Sequence, residues 1–452
     1  MFRQTIVPLI PRDLLHFWQQ IHPNPQNGFF LGGEQYSQGH RYVYCSVAEP
    51  IEIKETTTFK NPSFLIPSNN KFPYPEWVGV FSFEAGKIFE PKLISNTKLK
   101  DPYRFPVYSF ARYKAGIKFD LKRKTTTLWA VGYSDQQWRK LTEKVVIPAK
   151  AGIQVATHSL NKVYSLDPGL RRGDKRKQAL FFNFPLEEKF SFIVKKAQRH
   201  IAAGDIYQAN LSMRFSAPFI SDAVSLYRCL THKNPSPYAA LLKGSYGWIV
   251  SNSPELLIKI NNKSVITRPI AGTRPRGKNK KEDLKNKGEL LLSPKEKAEH
   301  IMLVDLERND LGRVSQAGSV KVTEKMGIEY YSHVMHIVSQ VEGKLKKNIS
   351  ALEAIKAVFP GGTITGCPKL SSIKIIQECE KEKRGPFYGS LGFFSYNGDA
   401  LFNILIRSAL VQKKKIHFRA GAGIVADSVA QKEYQECLAK AGALMESIGE
   451  IK

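Results

Sequence analysis

The sequence predicts an α+β protein of large antiparallel β-sheets packed with helices on the outside, and three observations predict it. Residues up to about 140 alternate short apolar runs ("RYVYCSVAEP", "WVGVFSFEAG", "TTTLWAVGY") with clusters of Pro, Gly and Asn, the pattern of strands parted by turns. From Leu186 the period lengthens: "LEEKFSFIVKKAQRHIAAGD" and "SDAVSLYRCLTHKN" read as helices, with the strand-like "IYQANLSMRFSA" between them. Paired strand patterns return in "YAALLKGSYGWIVSN" and "ELLIKINNKSVITRPI", and helices alternate with such pairs to the end.

At 452 residues and 42% hydrophobic, with 18 Tyr and 26 Phe, the chain can bury one large core or two moderate ones. The reading divides it into a β-rich region over 1–140 and one intertwined α+β unit over 186–452. Between them, 145–177 is basic, punctuated by Pro and Gly, and without sustained period, which reads as a disordered insertion. Its "IPAKAGIQ" and "LDPGLRRGD" ends resemble peptides encoded by mobile palindromic repeats.

Several function classes are excluded. No apolar run approaches the roughly 18 to 20 residues of a membrane span, and Pro8 and Pro11 break the first stretch, so a cytoplasmic protein without a membrane partner is expected. The five cysteines (Cys45, Cys229, Cys367, Cys379, Cys437) form no CxxC pair, which indicates neither a disulfide framework nor a zinc site. A net charge of +28 suits nucleic acid, an acidic surface or anionic small molecules. The basic runs, such as "GKNKKEDLKNKG" and "VQKKKIHF", lack interleaved aromatic platforms, so no nucleic-acid partner is expected.

The stretches that carry chemistry lie after residue 200. "QKEYQECLAK" places Glu433, Glu436 and Lys440 on one helical face. That face is either a solvated stripe with a weak ion pair, or two carboxylates for a divalent cation beside a lysine for an anion. "AEHIMLVDLERNDLGRV" reads as a helix followed by a polar turn, with Glu299 as a possible third carboxylate. "TRPIAGTRPRG" reads as a strand ending in a Gly-rich turn. "FPGGTITGCPK" offers backbone N–H groups and hydroxyls to an anion ahead of a helix beginning near Pro368. "NILIRSAL" puts Arg407 in an apolar strand, where it needs an anionic partner, from the protein or from a ligand. "AGAGIVADS" is a small-residue strand end that a ligand can approach.

Together and in this order, these stretches resemble the chorismate-utilising enzymes: the anthranilate synthase large component, aminodeoxychorismate synthase component I, and the isochorismate and salicylate synthases. The resemblance is strong over about 191–448 and weaker over 1–140, where "VAEP" and "WVGVFSFEAG" are similar to the aminating members. It implies an anthranilate synthase component I-like fold. It also implies a Mg²⁺ held by Glu299, Glu433 and Glu436, with Arg407 and Lys440 on the carboxylates of chorismate, assisted by N–H groups near Gly421 and Gly423. Glu255 in "SNSPELL" and His336 in "YSHVMHIVS" become the acid and base candidates, ahead of His333. Gln208 and Thr273 join the catalytic set, and Thr365 and Phe387 the substrate-binding set.

Members that use water carry a lysine where "GDIYQANLS" has Gln208. Glutamine cannot deprotonate water, so ammonia is the expected nucleophile, supplied by a separate glutamine amidotransferase subunit or from solution. Two products remain. The "LLES" element of tryptophan-inhibited anthranilate synthases is replaced here by "FFLGGEQ", which favours 4-amino-4-deoxychorismate, for para-aminobenzoate and folate. Ala271, in "PIAGT" where some members of that branch have a lysine, keeps anthranilate as the alternative. "NPSPY" occurs in both branches.

Overall fold

The computed structural model describes residues 2–8, 10–11, 13–23, 25–32, 41–65, 71–93, 98–146, 182–331 and 334–451. Most of the 145–177 segment, His333, and the end of "FFLGGEQ" lie outside these residues. Two antiparallel sheets form the frame. The first has eleven strands in the order Phe2–Val7, Thr125–Val131, Ala115–Asp120, Tyr42–Ser46, Gly28–Leu31, Tyr238–Gly244, Gly247–Ser253, Ser408–Gln412, Lys415–Ile424, Gln208–Pro218 and Gly366–Cys367. The second runs Ile270–Pro275, Val334–Lys344, Ser264–Arg268, Leu256–Asn261, Ala400–Asn403, Ser390–Ser395, Pro75–Phe81, Tyr108–Arg112 and Glu52–Thr56, with Lys321–Tyr330 also paired to Val334–Lys344.

Strands from before residue 140 enter both sheets. Gly28–Leu31 pairs with Tyr238–Gly244, and Pro75–Phe81 pairs with Ser390–Ser395. One apolar cluster therefore runs from Leu14 to Ile448. The β-rich region has no separate core among the described residues.

The helices follow their apolar spacing. Glu187–Ala202 buries Phe190, Val194 and Ala197, and Ala430–Glu450 buries Tyr434, Cys437, Ala441, Leu444 and Ile448, each a stripe one side chain wide. Ser350 and Glu353 close a capping box at the start of Ala351–Val358, worth about 1 kcal/mol. Among the described residues no helix is long and apolar enough to cross a membrane.

Three local expectations are corrected. The "AEHIMLVDLERNDLGRV" stretch continues as helix to Val314 without a polar turn, because Glu307 and Asp310 face the interior. "PIAGTRP" is an edge strand, Ile270–Pro275, whose register shifts around Gly272 at φ +71°. "NILIRSAL" is not one strand: Ala400–Asn403 belongs to the second sheet and Ser408–Gln412 to the first. Arg407 lies in the crossover between them, at φ +48°.

Candidate active site

Two neighbouring segments cross between the sheets at the same place. Gly247–Ser253 leaves the first sheet and Leu256–Asn261 enters the second, so Glu255 occupies one crossover and Arg407 the other. Backbone bonds clasp the two together: the Asn252 N–H donates to Arg407 O at 3.1 Å and the Ile404 N–H to Glu255 O at 3.1 Å. The Ser253 hydroxyl donates to Ile404 O at 2.6 Å. This seam fixes a carboxyl and a guanidinium side by side.

Beside the seam, Ser408–Gln412 stops while its neighbour Lys415–Ile424 continues. The N–H groups of Asn210 and Ser212 on the next strand point outward, to Thr365 O and Glu380 Oε1. Their antiparallel partners Gly423 and Gly421 must then direct their own N–H and C=O groups to the other side, the one Ser408–Gln412 has vacated. Gly421 O there accepts the Lys440 ammonium at 3.0 Å. A Cβ on Gly423 would stand 2.5 Å from Gln208 Nε2, and one on Gly421 2.8 Å from the Tyr388 hydroxyl. Both glycines keep this corner open.

The ionisable groups here are poorly solvated. Arg407 lies deep, its Nη1 has no hydrogen-bond partner, and burial holds its pKa below the usual value, partly offset by Tyr331 and Glu255. It retains some accessible surface. Glu255 is 4% exposed, and burial raises its pKa to about 7 against the pull of Thr363, the Ile270 backbone, Arg407 and Lys440. Burial and the Arg407 charge push His336 down to about 4, so its imidazole is neutral near pH 7. Its Nδ1 lies 3.0 Å from Thr273 Oγ1 and 3.3 Å from Gly272 O, while Nε2 is buried without a partner. Gly272 O can only accept, which favours a proton on Nδ1 and a free lone pair on Nε2.

The carboxylates expected to hold Mg²⁺ are spread along the edge of this region. Gln208 Nε2 donates to Glu299 Oε1 at 3.4 Å. Burial raises the pKa of Glu299, with Glu296 adding, and burial raises Glu433, with Glu436 adding; Lys295 and Lys440 oppose both rises. Glu436 is exposed and bonds Lys440 at 2.7 Å. Among the described residues no three His, Cys, Asp or Glu side chains gather as a ready ion cage, so the expected trio is not assembled. Its donor chemistry nevertheless fits a hard divalent cation: three carboxylates, two of them poorly solvated and facing the same lysines.

Two further expectations fail. The Thr365 hydroxyl is consumed inside its own turn, donating to Gly361 O at 2.9 Å and lying 3.3 Å from Gly362 O. Thr363, two residues earlier, keeps its hydroxyl off the backbone and makes a loose contact with the Glu255 carboxyl. Phe387 packs edge-on against Tyr103 in the core, whereas its neighbour Tyr388 reaches Gly421. Tyr388 is at φ +62°, and the Arg384 guanidinium lies over its ring at 4.6 Å. Arg384 is anchored by Glu380, which also binds Arg419; burial pushes Glu380 up, but the two guanidiniums outweigh it and hold it below the usual carboxylate range. Glu307, buried beside Glu255, was not singled out from the sequence either. Thr363 lay inside a quoted motif, but spacing does not show which hydroxyl is spent on the backbone.

This geometry has known relatives. The chorismate binding enzyme family matches residues 35–446, and the chain belongs to that family. It is 50% identical over 262 residues to aminodeoxychorismate synthase component 1 of Bacillus subtilis (strain 168), a match spanning 58% of this chain and 56% of that protein. Over 423 residues it is 40% identical to anthranilate synthase component 1 of Aquifex aeolicus (strain VF5), covering 92% of this chain and 82% of the relative. The fold is that of anthranilate synthase component I from Streptococcus pneumoniae TIGR4, with a TM-score of 0.76 at 30% identity over 91% of this chain and 93% of that one.

Proposed function

We propose that this protein aminates chorismate with ammonia, in the presence of Mg²⁺, to give 4-amino-4-deoxychorismate. The observation that carries the reading is the seam: a deep guanidinium whose Nη1 has no hydrogen-bond partner among the described residues, beside a carboxyl that is still half protonated near pH 7. Arg407 and Lys440 suit a dianionic substrate, and the Gly421 and Gly423 amides add neutral donors to the same corner. Glu255 then donates its proton to the C4 oxygen as that oxygen leaves as water. The neutral His336, held through Nδ1, offers Nε2 as an acceptor on the other side.

Gln208 supplies no base, so the nucleophile is ammonia, which carries its own lone pair; a glutamine amidotransferase subunit is its proposed source. Ala271 cannot form a covalent adduct. A Mg²⁺ bound by Glu299, Glu433 and Glu436 would neutralise substrate carboxylate charge and withdraw electron density from the ring. The 50% identity to a protein named aminodeoxychorismate synthase component 1 supports the folate branch. Ala271 and the longer match to anthranilate synthase component 1 favour the second reading, anthranilate plus pyruvate.

Product identification separates the two. The chain is incubated with chorismate, Mg²⁺ and an ammonium salt, with and without a pyridoxal-phosphate aminodeoxychorismate lyase. Para-aminobenzoate formed only with the lyase supports the first reading. Fluorescent anthranilate formed without it establishes the second. Glu433→Gln should abolish the Mg²⁺ response, and unchanged turnover at low Mg²⁺ would remove the metal from the scheme.

A further inference from the structure

Around Glu255 and Glu307, four buried polar atoms make no hydrogen bond of normal geometry among the described residues: Glu255 Oε1, Thr363 Oγ1, Thr267 Oγ1 and Glu307 Oε2. They converge from four segments. A loose contact with Thr363 partly holds down the rise of Glu255, one with Thr267 does the same for Glu307, and the two carboxyls lie close enough to feel each other's charge. Gly362, next to Thr363, sits against Glu307: a Cβ on it would lie 3.5 Å from Oε1. Buried polar atoms held this loosely are costly singly, and four in one place mark a cluster kept for use.

From Glu307 a line of charge leads outward along one face of the helix Pro294–Val314. Asp310, one turn on, is ion-paired to Lys369 and lies 3.1 Å from Arg313, whose side chain is largely exposed. Lys369 also donates to Val358 O at 2.8 Å, so it is mostly engaged before it can neutralise Glu307. Burial and the Asp310 charge push the Glu307 carboxyl up, with Lys369 opposing. Both members of the Glu255–Glu307 pair therefore hold protons at higher pH than ordinary carboxylates.

We infer that Glu307 is a positioning residue that shares a buried proton with Glu255 and returns one to it after each turnover. The inference rests on the proposed role of Glu255. In the step itself the Glu255 proton moves to the C4 oxygen as the C4–O bond breaks, and the oxygen leaves as water with the bonding pair. The Glu255 carboxylate next takes the Glu307 proton, with Thr363 beside the one carboxyl and Thr267 beside the other. Glu307 regains a proton from solvent at the Arg313 end. The proton shed by the added ammonia balances the cycle.

The test uses the full chain and the variants Glu307→Gln, Glu307→Asp and Glu255→Gln. Infrared titration of the protonated-carboxyl band, without chorismate, reads the coupling directly. The wild type should lose the band in two steps, the upper of which vanishes in both glutamine variants, because a coupled pair titrates as a unit. Either glutamine variant alone reads the partner's titration, so one that fails to fold leaves the other decisive. In turnover, Glu307→Gln should lower kcat by about tenfold or more at unchanged KM for chorismate, with partial recovery in Glu307→Asp. A surviving carboxyl that titrates at an unchanged pH, or full kcat in Glu307→Gln, overturns the relay. Absence of product from the wild type would instead refute the proposed reaction, and the infrared titration would still decide the coupling.

Discussion

Replacing Glu255 by glutamine should make the protein more stable while removing its activity, and the gain should depend on pH. Burial raises the Glu255 pKa from its ordinary 4.5 to about 7. A carboxyl raised in the folded state contributes stability that is fully present below about pH 4.5 and is lost as pH rises through about 7. At about 1.4 kcal/mol per pH unit, the loss is about 3 kcal/mol. Glutamine keeps the shape and cannot ionise. Denaturant unfolding of both proteins at about pH 4.5 and about pH 8.5 should show the variant gaining on the wild type by that amount at the higher pH. If the difference between the two proteins is the same at both values, Glu255 is not a desolvated acid and its role as proton donor falls with it.

The remaining predictions concern the same seam. Arg407→Met breaks no ion pair among the described residues, so thermal stability should hold or rise while chorismate affinity drops at least about tenfold, read by calorimetry; a clear fall in Tm would show a partner outside them. Thr365→Val should cost about 1–3 kcal/mol of stability by orphaning Gly361 O, whereas Thr363→Val, which removes only a loose contact to Glu255, should cost less and slow turnover. The pair fails as a prediction if the two variants behave alike. Gly423→Ala should displace the end of Gln208 and raise KM for ammonia without unfolding the chain, and an unchanged KM would mean that Gln208 does not border the ammonia path. Deleting 147–175 should leave ammonia-dependent activity largely intact; a folded but inactive deletion would give that segment a function.

The fold class, the helices from residue 187 onward and the charged residues of the site were legible in the sequence. Each leaves a local mark: a period of about 3.6 for Phe190, Val194 and Ala197, a Gly-rich turn before Lys369, and a stripe of Glu433, Glu436 and Lys440. Local pattern misplaced Arg407 because two short apolar runs joined by one arginine read the same whether they share a sheet or cross between two. It also chose Thr365 over Thr363 and Phe387 over Tyr388, since one or two residues of offset turn a side chain toward a different neighbour.

By itself, the sequence determined which chemical groups are available: guanidinium, ammonium, carboxyls, a histidine and glycines, in an order matching a known family. Only the tertiary structure decided which of them are desolvated and which face one another. The crossover set Glu255 against Arg407, burial carried the carboxyl to about pH 7, and the helix Pro294–Val314 brought Glu307 behind it. The physical reason is that proton affinity and ion pairing depend on solvent and on neighbours distant in sequence, and neither exists until the sheets close.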